Sequence, residues 1–225
     1  MPKKELHAKT LVSALVITVI IFVSGVFVGT MLSQKKVVMI ESDLEKVNSE
    51  LESFQLETLM LKTLGENATC SLLKTRIVDI NKQSAELGNN LELYREGKKE
   101  YDESYAELQA RYSRLLVTYW LMAKEMKQTC KSDFITTLYF FSSECRDCDT
   151  QSFVLTYFKK KLEDNILIFA LNADVSEPSM KIIMGYYNIT RYPSMVVEEE
   201  LINGLRDKSN FEYILCRYRR DFDFC

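Results

Sequence analysis

Phe134-Ile-Thr-Thr-Leu-Tyr-Phe-Phe141 is an apolar run, β-branched and aromatic, that reads as a buried strand. A polar turn, Ser142-Ser-Glu144, then delivers Cys145-Arg146-Asp147-Cys148. Phe153, Leu155, Phe158 and Leu162 follow at helical spacing. A second buried strand, Ile166-Leu-Ile-Phe-Ala-Leu171, closes on Asn172-Ala-Asp174, and another helical stretch leads to Tyr187-Asn-Ile-Thr-Arg-Tyr192-Pro193-Ser194. Beyond it, Met195-Val-Val197 and Leu201-Ile202 read as a hairpin around Glu198-Glu-Glu200. Residues 210–217 close the segment as a helix, with Phe211, Ile214 and Leu215 facing the sheet. Arg217-Tyr-Arg-Arg220 reads as a solvated basic tail.

A strand, a C-x-x-C at a helix start, a second β-α unit and a late proline together resemble the thioredoxin fold. The resemblance covers residues 131–225. It implies a redox pair in which Cys145, exposed at a helix N-terminus, is the attacking thiolate and Cys148, one turn inward, resolves the mixed disulfide. It also implies that Pro193 is cis and lies against the pair, with Tyr192 before it leaving backbone free to dock a substrate chain. Two departures stand out. Thioredoxins carry Trp before the first cysteine and Gly-Pro between the two; here Glu144 and Arg146-Asp147 take those places. They also carry a buried acid six residues before the first cysteine, and that position is Tyr139. A fast disulfide reductase is not what these residues suggest. A metal site is not expected either, since zinc wants a second ligand pair at similar spacing and His7 is the single histidine. No cofactor is implied.

A net charge near −3 argues against nucleic acid as the main partner. Low Gly and Pro counts, 7 and 3 in 225 residues, suit a helix-rich chain. Residues 1–9 are basic and are expected to be a short cytoplasmic N-terminus. Residues 10–33 carry no charge and are long enough to span a bilayer. The run passes straight into Gln34-Lys35-Lys36 without a small-residue cleavage site, which reads as an uncleaved anchor. Gly25-Val-Phe-Val-Gly29 fits a close-packing helix motif. The lysine bias across the span is weak. All six cysteines and two sequons, Asn67-Ala-Thr69 and Asn188-Ile-Thr190, lie after it. Their placement favours an extracytoplasmic or lumenal bulk with glycans at Asn67 and Asn188.

Residues 37–129 carry three apolar seams spaced alternately four and three, the a/d pattern of a coiled coil. The first runs Ile40, Leu44, Val47, Leu51, Phe54 and Leu61. The second runs Leu73, Ile77, Ile80, Ser84, Leu87, Leu91 and Tyr94. The third runs Tyr101, Tyr105, Leu108, Tyr112, Leu115, Tyr119, Met122 and Met126. Gly65-Glu-Asn67 breaks the phase and reads as a turn, and Glu96-Gly-Lys98 is a candidate turn across which the phase carries. One long helix or a hairpin both satisfy that second junction. An up-down-up bundle is preferred, because an unsupported helix of about 60 residues would reach about 90 Å. The tyrosine stripe is packing in this reading.

Such a bundle brings Cys70 near Cys130 and leaves Cys216 and Cys225 to close a C-terminal loop. Four cysteines nevertheless allow three pairings. The expected architecture is thus a transmembrane helix, a helical stalk that offers a surface to membrane-complex partners, and an α/β thioredoxin-like domain. Two functions fit. One is a membrane-anchored thiol–disulfide oxidoreductase acting on protein thiols and disulfides. The other is a non-catalytic subunit of a membrane complex, similar to those of oligosaccharyltransferases, that holds polypeptides by transient mixed disulfides.

Overall fold

The structure is a computed structural model describing residues 3–64, 66–96 and 103–225, with side chains described at 10–29, 39–60, 63, 70, 71, 73–94 and 103–225. Gly65, the expected turn at residues 97–98, Tyr101 and the Asn67 side chain lie outside the described residues. Helix α1 spans Lys3–Leu64, α2 Glu66–Glu96 and α3 Glu103–Cys130. Strand β1 (Ile135–Phe141), α4 (Cys148–Leu162), β2 (Ile166–Asn172), α5 (Pro178–Tyr186), β3 (Ser194–Val197), β4 (Glu200–Asn203) and α6 (Lys208–Tyr218) complete the chain. The chain divides into two units, Met1–Asp43 and Leu44–Cys225. In the first, Thr10–Gly29 is long and apolar enough to cross a membrane, with a mean hydropathy of 2.8, a property shared with secretory signal sequences.

The second unit is built on a four-stranded sheet in the order β2-β1-β3-β4. Strand β1 pairs parallel with β2, Ile135 opposite Ile166, and antiparallel with β3, Phe140 opposite Ser194. Side chains alternate between the two faces. One face gathers Ile135, Tyr139, Met195 and Val197 under Leu155, Phe158 and Leu162 of α4 and Phe211, Ile214 and Leu215 of α6. Phe158 is completely buried, with Phe211 at 5.1 Å and Phe224 at 5.9 Å between ring centroids. Cys216 and Cys225 are disulfide-bonded, and the loop they close folds Phe222 and Phe224 onto this core.

The opposite face lies under α3, which has two working stripes. Tyr112 and Tyr119 face the bundle. Tyr112 donates to the Ser84 carbonyl of α2 at 2.7 Å, and Tyr119 donates to Glu50 of α1 at 3.0 Å. Arg76 of α2 pairs with the same Glu50 and with Glu57. Along the second stripe, Arg114 bonds Glu177 at 2.7 Å and Trp120 meets Tyr187 edge-on at 6.2 Å. Lys124 bonds Glu199 at 2.7 Å, and Lys127 pairs with Glu198. Glu177 is itself the N-cap of α5, accepting from Ser179 N at 2.8 Å ahead of Pro178 at the first helical position. Cys70 and Cys130 are disulfide-bonded across a sequence separation of 60.

Of the expected stalk at 37–129, residues 37–43 belong to the first unit, and from Leu44 on it shares the second unit with the expected domain at 131–225. The second-seam residues are all buried, Leu73 through Tyr94, whereas Leu44, Leu51 and Phe54 of the first are half-buried. The basic tail is a correction. Arg219 is folded in: its guanidinium donates to the Asp133 carbonyl at 3.1 Å and to Asn165 Oδ1 at 2.9 Å, and pairs with Asp221. Arg217 pairs with Glu200 at 2.8 Å. Apart from Asp221, the partners are distant in sequence, which a local reading of charge does not register.

Candidate redox site

Strand β1 ends at Phe141, and a turn held by Cys145 N–H donating to the Ser142 carbonyl at 3.2 Å brings the chain to the pair. Cys145 and Cys148 are disulfide-bonded, with Cα atoms 5.4 Å apart. Cys148 is buried at 4% exposure and Cys145 is half-buried. Two expectations are corrected here. Helix α4 begins at Cys148 rather than Cys145, because residues 145–147 form a turn in which Cys148 N–H donates to the Cys145 carbonyl at 3.3 Å. Cys145 is also less exposed than a free helix terminus would leave it. The first helical amides lie beyond Cys145, so the dipole acts on its sulfur from a turn away.

Beneath the pair sits Tyr139, 1% exposed. Its hydroxyl donates to the Cys148 carbonyl at 2.7 Å, accepts from Ser152 Oγ at 3.4 Å, and its ring stacks on Phe141 at 5.6 Å. Burial raises the phenol pKa above its usual value; Asp149 adds to the rise and the Ser152 bond opposes it. The phenol is a proton donor here, not a base. Tyr187 packs on Trp120 and donates to Glu199 at 2.8 Å.

The rim is organised by Asp174, just beyond β2. Its carboxylate accepts from Ser142 Oγ and from Ser143 N–H, each at 2.7 Å. Burial works against the charged form, but the bonds from Ser143 and Ser142 outweigh it, so the Asp174 pKa is lowered. Tyr192, half-buried, has its phenol pKa raised by burial and by the Asp174 charge. Asp174 thus lies between the turn before Cys145 and the segment before Pro193.

The Tyr192–Pro193 peptide bond is cis, and Pro193 is buried. Since Ser194 is opposite Phe140, Pro193 stands in register with the end of β1, where the cysteine turn departs. Its carbonyl accepts from Gly204 N–H at 2.8 Å, and Ser194 Oγ donates to the Arg191 carbonyl at 2.7 Å. Gln151, fully buried on α4, accepts from Arg206 N–H at 2.7 Å and ties the loop after β4 to the first turns of that helix.

Asp174 and Gln151 were not singled out from sequence. Asp174 carries a signal, as a carboxylate at the end of a strand parallel and adjacent to β1, whereas Gln151 carries none. Asn188 is exposed with φ of +52° at the exit of α5, where Ile189 N–H donates to the Met184 carbonyl at 2.8 Å. Asn tolerates this left-handed position well, which is a conformational reason for its presence beside the sequon reading.

No family model matches the chain, and no curated protein does. Solved structures do. One is thioredoxin-2, a component of malaria parasite protein secretion machinery, at 13% identity and TM-score 0.32, over 37% of this chain and 82% of that one. Another is chloroplastic thioredoxin z, at 11% identity and TM-score 0.35, over 44% and 89%. A third is thioredoxin O2 from Arabidopsis thaliana in the oxidized state, at 18% identity and TM-score 0.31, over 39% and 77%. These neighbours are thioredoxin-like, and the likeness covers about two fifths of this chain.

Asp174 yields a prediction. A carboxyl whose folded pKa is lowered contributes stability above its unfolded value, near 3.9, and that contribution is lost as pH falls through the folded value. Hydrogen-exchange protection of the Ser143 amide should therefore hold at neutral pH and through the ordinary carboxyl range, and be lost only below it. Asp174→Ala should lower it at neutral pH by about tenfold, roughly one hydrogen bond to a charged acceptor. Unchanged protection in Asp174→Ala would show that the turn does not depend on this carboxylate.

Proposed function

We propose that the protein is a membrane-tethered thiol–disulfide exchange protein acting on polypeptides. The observation that supports this best is a buried Cys148 bridged to a less buried Cys145, at the end of β1 and in register with the cis Tyr192–Pro193 segment. In the oxidised form, a substrate thiolate attacks Cys145 Sγ. The Cys145–Cys148 bond breaks, a substrate–Cys145 disulfide forms, and Cys148 leaves as a thiolate that takes up a proton. A second substrate thiolate then attacks the substrate sulfur, breaking its bond to Cys145 and releasing the Cys145 thiolate, so the substrate gains a disulfide and the pair holds the two electrons. The reverse sequence reduces a substrate. Tyr192, with its backbone outside the sheet ladder, is the proposed docking point for the substrate chain.

A second reading is favoured by Tyr139. A protonated phenol bound to the Cys148 carbonyl offers no base for the Cys148 thiol, so resolution is slow and the mixed disulfide serves to hold the polypeptide. In both readings residues 10–33 anchor the chain and the bulk lies outside the cytoplasm, the Asn67 and Asn188 sequons carry glycans, and the helical bundle contacts complex partners. The test is the full chain in its native membrane. Cys148→Ser should accumulate thiol-reversible polypeptide adducts, and Cys145→Ser should accumulate none. Adducts absent from both, or present in Cys145→Ser alone, overturn the proposal. Multiple turnovers of a model disulfide by the wild type identify an enzyme, and a single stoichiometric adduct identifies a holder.

A further inference from the structure

Helices α2 and α3 on one side, and α4 and β2 on the other, leave between them an open cleft of about 660 Å³. That is within the size range of small-molecule pockets. Its walls include Tyr112, Leu116, Tyr139, Leu155, Ile168 and Ala170, an apolar lining with two phenols. Lys159, half-buried on α4, also lines it. Among the described residues no carboxylate lies within ion-pair distance of Lys159, although its neighbour Lys161 bonds Asp223 at 2.9 Å. Burial lowers the Lys159 pKa. An ammonium drawn against apolar walls without a partner is costly unless an anion joins it. Glu163 and Asp164, both exposed, stand at the edge of the same cleft with exposed Lys82 and Lys160. With Lys159 the lining thus holds three cations against two carboxylates, an excess of one positive charge, so the complementary occupant carries one negative charge and an apolar body.

We infer that this cleft binds a monoanionic amphiphile of the medium-chain carboxylate class, with the carboxylate on Lys159 and the chain against Leu116, Ile168 and Ala170. The site does not depend on the redox reading, and its test uses no redox measurement.

The full chain in phosphatidylcholine nanodiscs is treated with decanoate, then with limiting N-hydroxysuccinimidyl acetate, and labelling is mapped lysine by lysine. Decanoate should protect Lys159 saturably and at least fivefold, leaving exposed Lys181 and Lys208 unchanged, while decanol at equal concentration should protect less than twofold. Equilibrium dialysis should show one decanoate site per chain above the lipid background, lost in Lys159→Met and kept in Lys181→Met. Absent protection, equal protection by decanol, or equal loss of labelling at all three lysines overturns the proposal. In each of those cases Lys159 is buried for the packing of its aliphatic stem alone.

Discussion

Replacing Cys70 and Cys130 together by serine should lower the unfolding free energy by about 4 kcal/mol, roughly a thousandfold in the equilibrium constant. The cross-link spans a sequence separation of 60, and the entropy removed from an unfolded chain grows with the logarithm of the loop closed. The same relation gives about 3 kcal/mol for Cys216–Cys225, whose separation is 9. The longer loop therefore matters more, although the shorter one also places Phe222 and Phe224 on the core. Because α3 belongs to both the bundle and the sheet, the loss should appear as one shifted transition, its denaturant dependence steeper because the unfolded chain is released from the cross-link. Trp120, the single tryptophan and half of the contact with Tyr187, is the natural fluorescence probe. A double variant that shifts the urea midpoint less than Cys216→Ser/Cys225→Ser does would show that native-state packing, not chain entropy, sets the value of these bridges.

Tyr139→Glu should speed resolution of a mixed disulfide on Cys145 by about tenfold, toward the low end of what a general base contributes. Cys148 must lose its proton before it can attack, and at 4% exposure little water reaches it to take that proton. The wild-type phenol cannot take that proton, since its own pKa is raised and its hydroxyl is committed to the Cys148 carbonyl. A carboxyl in the same buried place would be pushed up toward neutrality, where it can accept a proton. Tyr139→Phe is the control. It leaves the Cys148 carbonyl without its donor, costs about 1 kcal/mol of stability, and should not accelerate release. Stopped-flow release of a fluorescent thiol from Cys145 between pH 6 and 9 reads both variants. Wild-type release as fast as that of the Glu variant at pH 7 would remove the physical basis for a holding role.

Much of the site was legible because its residues are close in sequence or lie on strands of clear pattern. The β1 run, the Cys145-Arg-Asp-Cys148 spacing, Tyr139 and Pro193 can all be read along one line. What was not legible involves partners far apart in the chain. The a/d pattern of α3 marks only the stripe of Leu108, Leu115, Tyr119 and Met122. The second stripe, Arg114, Trp120, Lys124 and Lys127, looks like a solvated face until Glu177, Tyr187, Glu199 and Glu198 are brought to it. The start of α4 was misplaced by three residues for a local reason, the turn bond between Cys145 and Cys148. Asp174 reaches the site only because β2 lies parallel to β1 and ends beside it.

The double use of α3 bears on modularity. A fragment cut at Lys131 would look like a complete domain by its strands and cysteines, yet it would carry away only half of its own cover. Leu138, Phe140, Leu167, Phe169 and Leu171, all at most 3% exposed in the whole chain, would lose the helix above them. Glu198 and Glu199 would lose their lysines, and the N-cap carboxylate of α5 would lose Arg114. An uncovered apolar face of that extent favours self-association. The smallest transplantable piece thus begins no later than Glu103, and a shuffled gene that joined the sheet segment to another helical partner would have to supply a helix with the same two stripes.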